Sequence, residues 1–250
     1  MEGFEFRALP PTEAIEYFKA KGWAPESQRF SWRDVWGDEH DRMFTVAKAM
    51  RDDVLKEIRE AVEAALVEGI TFEEFRARLQ PKLEAFGWWG QGEMVDPKTG
   101  LPELVQLGSP RRLEIIYDTN LRTSYSAGRW ERAQRNARLL PYFTYIQIDR
   151  PSAREAHKPF DGVTLPVDHA FWRTHWPPNG WKCGCIVRQI SKRAFEREKL
   201  SITDEDKVVE ISRARQVYDK RSGVTREVPI GIDPSFERNA GLARFDPEAA

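Results

Sequence analysis

HKPFDGVTLPVDHAFWRTHWPPNGWKCGCIV, residues 157–187, is the stretch on which the reading of the whole chain turns. Three of the four histidines (His157, His169, His175) and both cysteines (Cys183, Cys185) fall inside it, together with Trp172, Trp176 and Trp181. The stretch puts soft nitrogen and sulfur ligands, rigid turns and large rings in one place. Pro177-Pro178-Asn179-Gly180 is a turn with a mechanism: proline fixes φ early, asparagine tolerates the next position and glycine frees the last. It folds the Trp172–Trp176 segment back against the cysteines.

Zinc takes four tetrahedral ligands from thiolate sulfur and imidazole nitrogen. Cys183 and Cys185 on one strand face can share an ion if the strand bends, which Gly184 permits. His157 and His175 then complete a Cys2His2 set, with His169 as the alternative ligand and Asp161 and Asp168 as weaker candidates. The spacing is not that of a zinc finger, because C-x-C replaces C-x2-C and the histidines come first. A second reading of the same residues has no metal. The cysteines are then small buried hydrophobes, and the histidines bond backbone carbonyls and pack on tryptophan. Catalysis has less support. No H-E-x-x-H, G-x-S-x-G or P-loop occurs, and the C-x-x-C of a deaminase is absent. No catalytic residue is assigned, and the chain is expected not to be an enzyme.

On the N-terminal side, YFTYIQID (142–149) is aromatic and β-branched and predicts a strand. Ser152-Ala-Arg-Glu155 predicts a capping box and a short helix that delivers His157. Residues 109–139 predict a long helix, with Ser109 as N-cap, Pro110 at the first position, and small residues late on the apolar face for close helix approach. Seven arginines face three acids over residues 111–138. Arg122, Arg129, Arg132 and Arg135 share a broad side of that helix. One reading is contact with phosphates or an acidic protein surface, and the other is a solubilising face. Thr71-Phe-Glu-Glu74 opens another helix to Phe86, which Pro81 should end or kink. The Gly/Pro-containing run from Gly87 to Gly108 predicts a loop and an internal boundary. Residues 31–69 predict one or two helices, opened by a Ser31/Asp34 capping box and closed by Gly69. The acids from Asp52 to Glu63 form a solvated face, and His40 is expected at the surface. Thr12 should cap a short docking helix that ends at Gly22.

On the C-terminal side, Val163–Val167 predicts a brief strand broken by Pro166, and residues 182–190 a strand carrying the cysteines. Ser191 should cap a helix to about residue 200. VVEIS and VTREVPIGI suggest small strands in the tail, with the last ten residues frayed.

Bulk properties narrow the field. With 250 residues, the chain makes one large domain or two small ones. Net charge is −1, so global charge predicts neither a nucleic-acid nor a membrane partner. No apolar run approaches the roughly 20 residues of a membrane span. The first residues, MEGFEFRALPP, lack the apolar region of a secretory signal. Two cysteines in C-x-C do not make a disulfide framework, and synthesis in a reducing cytosol fits.

The window resembles the phage Mu F-like, or phage head morphogenesis, family. Its pattern appears as His157, Asp161-Gly162, Asp168, Phe171-Trp172, Pro177-Pro178-Asn179-Gly180-Trp181 and Cys183/Cys185. YDTNLRTSYSAGRWE (117–131) resembles the family's arginine-bearing helix. LPPTEAIEYFKAKG (9–22), WRDVW (32–36) and TFEEF (71–75) resemble its N-terminal region, and GIDPSFERNAG (231–241) a segment after its core. Gly184 stands where arginine is common, and Ser235 and Ala240 replace a glycine and a proline. The resemblance implies a minor capsid protein of a tailed double-stranded DNA phage or prophage. Such a protein lies inside the virion head, after assembly in the bacterial cytoplasm. Its partners are the portal, other capsid proteins and packaged double-stranded DNA, with no membrane. Zinc, if held, is structural. The alternative is a metal-dependent hydrolase or nuclease of toxin type using the His157–Cys185 window.

The expected fold is α+β. It has a helical N-terminal region (1–108), a core of a long helix and a small turn-rich β module with the His/Cys residues (109–200), and a short β or irregular tail (201–250).

Overall fold

A computed structural model describes residues 11–151 and 153–245. The chain opens with α1 (Thr12–Lys19), whose N-cap is Pro11, so Thr12 lies inside the helix instead of capping it. A two-residue strand, β1 (Gly22–Trp23), pairs in parallel with β2 (Met43–Phe44), and α2 (Glu39–Arg42) leads into the latter. The Ser31/Asp34 signal is present but opens no long helix. The Ser31 amide donates to Asp34 Oδ2 at 2.6 Å and the Arg33 amide to Ser31 Oγ at 3.3 Å, and the backbone then turns. The long helix of this stretch is α3 (Asp52–Glu68), where Val54, Leu55, Ile58, Val62, Ala65 and Leu66 form the buried stripe. Gly69 ends it in the left-handed region at φ 69°, the position where a Cβ would be strained.

Thr71 caps α4 (Phe72–Ala85), its side chain accepting from the Glu74 amide. Pro81 neither ends nor begins it. Proline frees the carbonyl four residues back, and here Ala77 and Pro81 both lie on the solvent side, where water can meet that carbonyl. The helix closes one turn later. Trp88 donates to the Leu83 carbonyl and Gly87 to that of Glu84, a paired C-terminal motif that seats glycine at φ 70°. The run from Gly87 to Gly108 is not an irregular loop. Within it β3 (Gln91–Val95) and β4 (Pro102–Gln106) form an antiparallel hairpin, turned by Asp96, which accepts from the Lys98 amide, and by Gly100 at φ 69°.

Ser109 accepts from the Arg112 amide and starts α5 (Pro110–Asn136). The small residue Gly128 lets α1 cross it closely, for a Cβ there would stand 2.8 Å from the Ala14 nitrogen. β5 (Tyr142–Ile146) then forms the middle of a three-stranded antiparallel sheet, between β6 (Thr164–Pro166) and β7 (Ile186–Ile190). The capping box expected at Ser152 lies outside the described residues at its first position. A 3-10 turn, Glu155–Phe160, carries His157. A single-turn helix, α6 (Phe171–Thr174), precedes the proline turn. The cysteines stand in the loop before β7 rather than on the strand. Ser191 caps α7 (Lys192–Arg197), accepting from the Ala194 amide. VVEIS belongs to a helix, α8 (Glu205–Ile211), because Asp204 supplies an N-cap and buries Val208 while Val209 faces out. β8 (Ala214–Asp219) and β9 (Val224–Pro229) form a hairpin, and α9 (Leu242–Phe245) closes the described chain.

The fold is α+β. One buried cluster is helical and mostly aliphatic, from Phe18 through α3 and α4 to Leu113, Ile116 and Leu121 of α5. The other is rich in rings: Trp130, Phe143, Tyr145, Phe160, Phe171, Trp172, Trp176 and Phe236. α5 serves both, since its first half packs in one and Trp130 and Ala133 in the other. Among the described residues no helix is long and apolar enough to cross a membrane.

Candidate functional site

Three chemistry-bearing side chains of the window converge. His157 projects from the 3-10 turn, and Cys183 and Cys185 from the loop that enters β7. Cys183 Sγ lies 3.6 Å and Cys185 Sγ 3.5 Å from the same atom, His157 Nδ1. His157 is 1% exposed and Cys183 3% exposed, so the group sits in the interior. Both cysteines are free thiols. A hydrogen bond from Cys185, with the His157 ring beside it, draws the Cys183 thiol well below its ordinary value. The same bond, with burial, pushes the Cys185 thiol up.

The surroundings fix this geometry. The Tyr145 hydroxyl donates to Asn179 Oδ1 at 2.8 Å. The Arg150 guanidinium covers Gly184, where a Cβ would stand 2.5 Å from Arg150 Cζ. Arg150 thus places a cation beside the residue between the two cysteines. Arg154 donates to Asp233 Oδ1 at 2.7 Å and to the Trp181 carbonyl at 2.8 Å. Asp233 in turn accepts from the Trp181 amide at 3.1 Å and donates its own amide to the Asn179 carbonyl at 3.0 Å. Gly180 is required here because a Cβ would meet Asp233 Oδ2 at 2.5 Å.

The other two histidines of the window do not join the group. His175 is 1% exposed and stacks on Phe171 with ring centroids 4.1 Å apart, its Nδ1 2.8 Å from Thr174 Oγ1. Burial pushes its pKa down to about 4. His169 Nε2 lies 3.3 Å from Glu205 Oε2. Among the described residues, the Cys/His/Asp/Glu group able to share one ion is His157, Cys183 and Cys185. Asp161 instead accepts from the Gln147 amide.

The four arginines of α5 separate. Arg122 pairs with Asp118 at 2.6 Å. Arg132 reaches Glu13 of α1 at 2.8 Å, and Arg135 binds both Glu13 and Glu131. Arg129 is exposed and, among the described residues, forms no ion pair with a carboxylate. Desolvation and the neighbouring Arg132 lower its pKa.

Three features were not read from the sequence. Arg238, in the tail, donates to Asp41 at 2.7 and 3.0 Å, and Tyr17 donates to the same carboxylate at 2.7 Å. His40 belongs to this cluster and not to the open surface. It is half-buried, its Nε2 is 3.2 Å from the Trp32 carbonyl, and burial with the charges of Arg238 and Lys21 pushes its pKa down to about 3. Arg221 bridges Asp34 and Asp96, at 2.7 Å to the latter. The third feature is a cavity of about 790 Å³ lined by Phe30, Trp32, Lys48, Arg111, Ile116 and Arg238 among others, with no carboxylate among the described residues of its wall. Nothing in local sequence announces pairs so distant. The signal available was an unexplained arginine in GIDPSFERNAG.

Comparison with known proteins places these features in a family. The family model described as phage Mu protein F like protein matches residues 56–188, from α3 to β7. Protein F of Escherichia phage Mu, named for capsid assembly, is 41% identical over 227 residues, covering 91% of this chain and 48% of that protein. The Mu-like prophage FluMu F protein of Haemophilus influenzae is 35% identical over 231 residues, covering 88% of this chain and 55% of that protein. The chain thus spans about half the length of these relatives. No solved structure matches it. With more than half of its length under the family model and two relatives above 30% identity along nearly all of it, this chain belongs to the family of phage Mu protein F-like proteins.

Proposed function

We propose that this chain is a minor capsid protein that acts in head assembly of a tailed double-stranded DNA phage or prophage, inside the head, at the portal or the packaged DNA. The observation that carries the reading is the 41% identity, across 91% of the chain, to a Mu protein named for capsid assembly. Quantitative mass spectrometry of purified heads, made with and without the gene, tests it. A low fixed copy number in heads, with defective heads in its absence, is expected. Protein free in the lysate and absent from heads would overturn it.

The contact surface in this reading is the outer side of α5 that bears Arg122, Arg129, Arg132 and Arg135. Arg129 leads because its charge is not matched by a carboxylate of the described chain. Phosphate contact would make binding fall steeply with salt, whereas an acidic portal surface would give a weaker salt response. The double variant Arg129→Glu/Arg132→Glu should lower incorporation into heads without unfolding the protein. Equal incorporation would remove α5 from the contact surface. The competing reading, a toxin-type metal hydrolase, needs a general base beside its metal, and among the described residues no carboxylate joins the His157, Cys183 and Cys185 group.

A further inference from the structure

We propose that His157, Cys183 and Cys185 bind one zinc ion, through imidazole Nδ1 and two thiolates, with water in the fourth position. Geometry carries the assignment. Zinc bonds sulfur at about 2.3 Å and nitrogen at about 2.0–2.1 Å, so a tetrahedral ion holds its sulfur and nitrogen ligands about 3.5–3.6 Å apart. The two sulfur-to-nitrogen distances here are 3.6 and 3.5 Å. A single ring nitrogen, with one lone pair or one hydrogen, bonds only one of the two sulfurs directly. Two sulfurs equally close to one nitrogen, with all three atoms within 4.8 Å of one another, make a chelating triangle.

The chain positions this triangle from both sides. Pro159 follows His157 in the 3-10 turn, and Phe160 lies against its ring with centroids 6.0 Å apart. Gly184 between the cysteines leaves room for Arg150, which donates to the Lys182 carbonyl and braces the loop. Zinc would displace the remaining thiol proton to solvent, and two thiolates then neutralise the dication, so the loaded site carries no net charge. Binding at Nδ1 places the ring proton on Nε2. The ion would join the turn that follows β5 to the loop that enters β7, at a point where the backbone has no ladder hydrogen bonds of its own. His175 and His169 are outside the set, so the site has one histidine rather than two.

The test is metal analysis of the full chain purified without chelator. One equivalent of zinc is expected, falling below a tenth in Cys183→Ser and in His157→Ala and unchanged in His175→Phe and His169→Gln. Zinc unchanged in Cys183→Ser, copper or iron in its place, or loss of zinc in His175→Phe would overturn the assignment. Because the cysteine variant can fail to fold, cobalt is also titrated into metal-stripped wild-type protein. Near-ultraviolet sulfur-to-cobalt charge transfer that saturates at one equivalent is expected, and a titration without it sinks the site. Mass spectrometry showing the two cysteines oxidised to each other in freshly purified protein would likewise overturn it. None of these outcomes bears on the head-assembly reading, which stands or falls on the contents of heads.

Discussion

The two buried regions of this molecule are made of different material. The first is a stack of helices whose interior is mostly Val, Leu and Ile, drawn from α3, α4 and the first half of α5. The second holds Trp130, Phe143, Trp172 and Trp176 in edge and tilted contacts, with ring centroids 4.9–6.3 Å apart. Around the end of α5 and the five-residue strands β5 and β7, it is built from a three-residue strand, a four-residue helix and turns. Elements that short have few hydrogen bonds of their own, so rings and specific polar bonds must hold them. The lesson is that one chain uses periodic burial where it can run long helices and dense ring packing where it must stop and turn.

The largest expected effect breaks the second region. Trp172 is fully buried, and its indole donates to the Pro166 carbonyl at 2.9 Å. Trp172→Ala should cost about 3–5 kcal/mol, as buried Trp→Ala changes do. Leu55→Ala in the first region should fall within the broader range of about 2–5 kcal/mol. Both should lower one shared midpoint in urea, because α5 runs through both clusters. Two separate transitions would show that the regions fold independently.

Next comes the joint between regions. Arg238→Ala strands the Asp41 carboxylate, 1% exposed at its side chain, beside Tyr17. A broken buried pair costs about 3 kcal/mol or more, and urea unfolding of the variant measures it. A loss under about 1 kcal/mol would mean the tail does not clamp the helices. Gly128→Leu is milder. It pushes α1 from α5 and should cost about 1–3 kcal/mol of overpacking, read from thermal melting against wild type.

Acid sharpens the comparison, since the second region buries His175 and the joint half-buries His40. In the unfolded chain histidine titrates near about 6.5, but burial holds His175 down to about 4 and His40 to about 3. Between those limits the unfolded state binds more protons. Stability is therefore full above about pH 6.5 and falls as pH drops toward 4. Urea midpoints measured across this range should fall less in His175→Phe than in wild type, and an identical slope would contradict the burial argument. The smallest change is Ser235→Gly. Ser235 occupies φ 74°, a left-handed position, yet its hydroxyl accepts from the Gly37 amide at 2.8 Å. Relief of strain and loss of that bond oppose each other, so chemical denaturation should shift by less than about 1 kcal/mol.

The same contrast explains what was legible in the sequence. Leu55, Ile58, Val62 and Leu66 repeat at helical spacing, and Thr71 and Ser109 are caps where local rules put them. The long helix and its close approach at Gly128 followed from the same rules. In the window, composition alone pointed to a cluster, but not to its membership. His157 and His175 are equally buried, and only the fold aims one at the cysteines and stacks the other on Phe171. The hairpin at Gln91–Gln106 was hidden because its turn residues read as a loop while its strands carry few β-branched side chains. His40 reads as solvated among acids because Arg238, whose charge with burial lowers its pKa, stands far away in sequence.

The clamps made by Arg221 and Arg238 also set an order of events. They reach back 187 residues to Asp34 and 197 residues to Asp41. A ribosome adding about 5–20 residues per second needs roughly 10–40 s to supply the second guanidinium after the first carboxylate has emerged. Throughout that interval the nascent helices carry hydrated acids along an open seam. Arrival of the tail, rather than collapse of the helices, is the moment at which the seam can close.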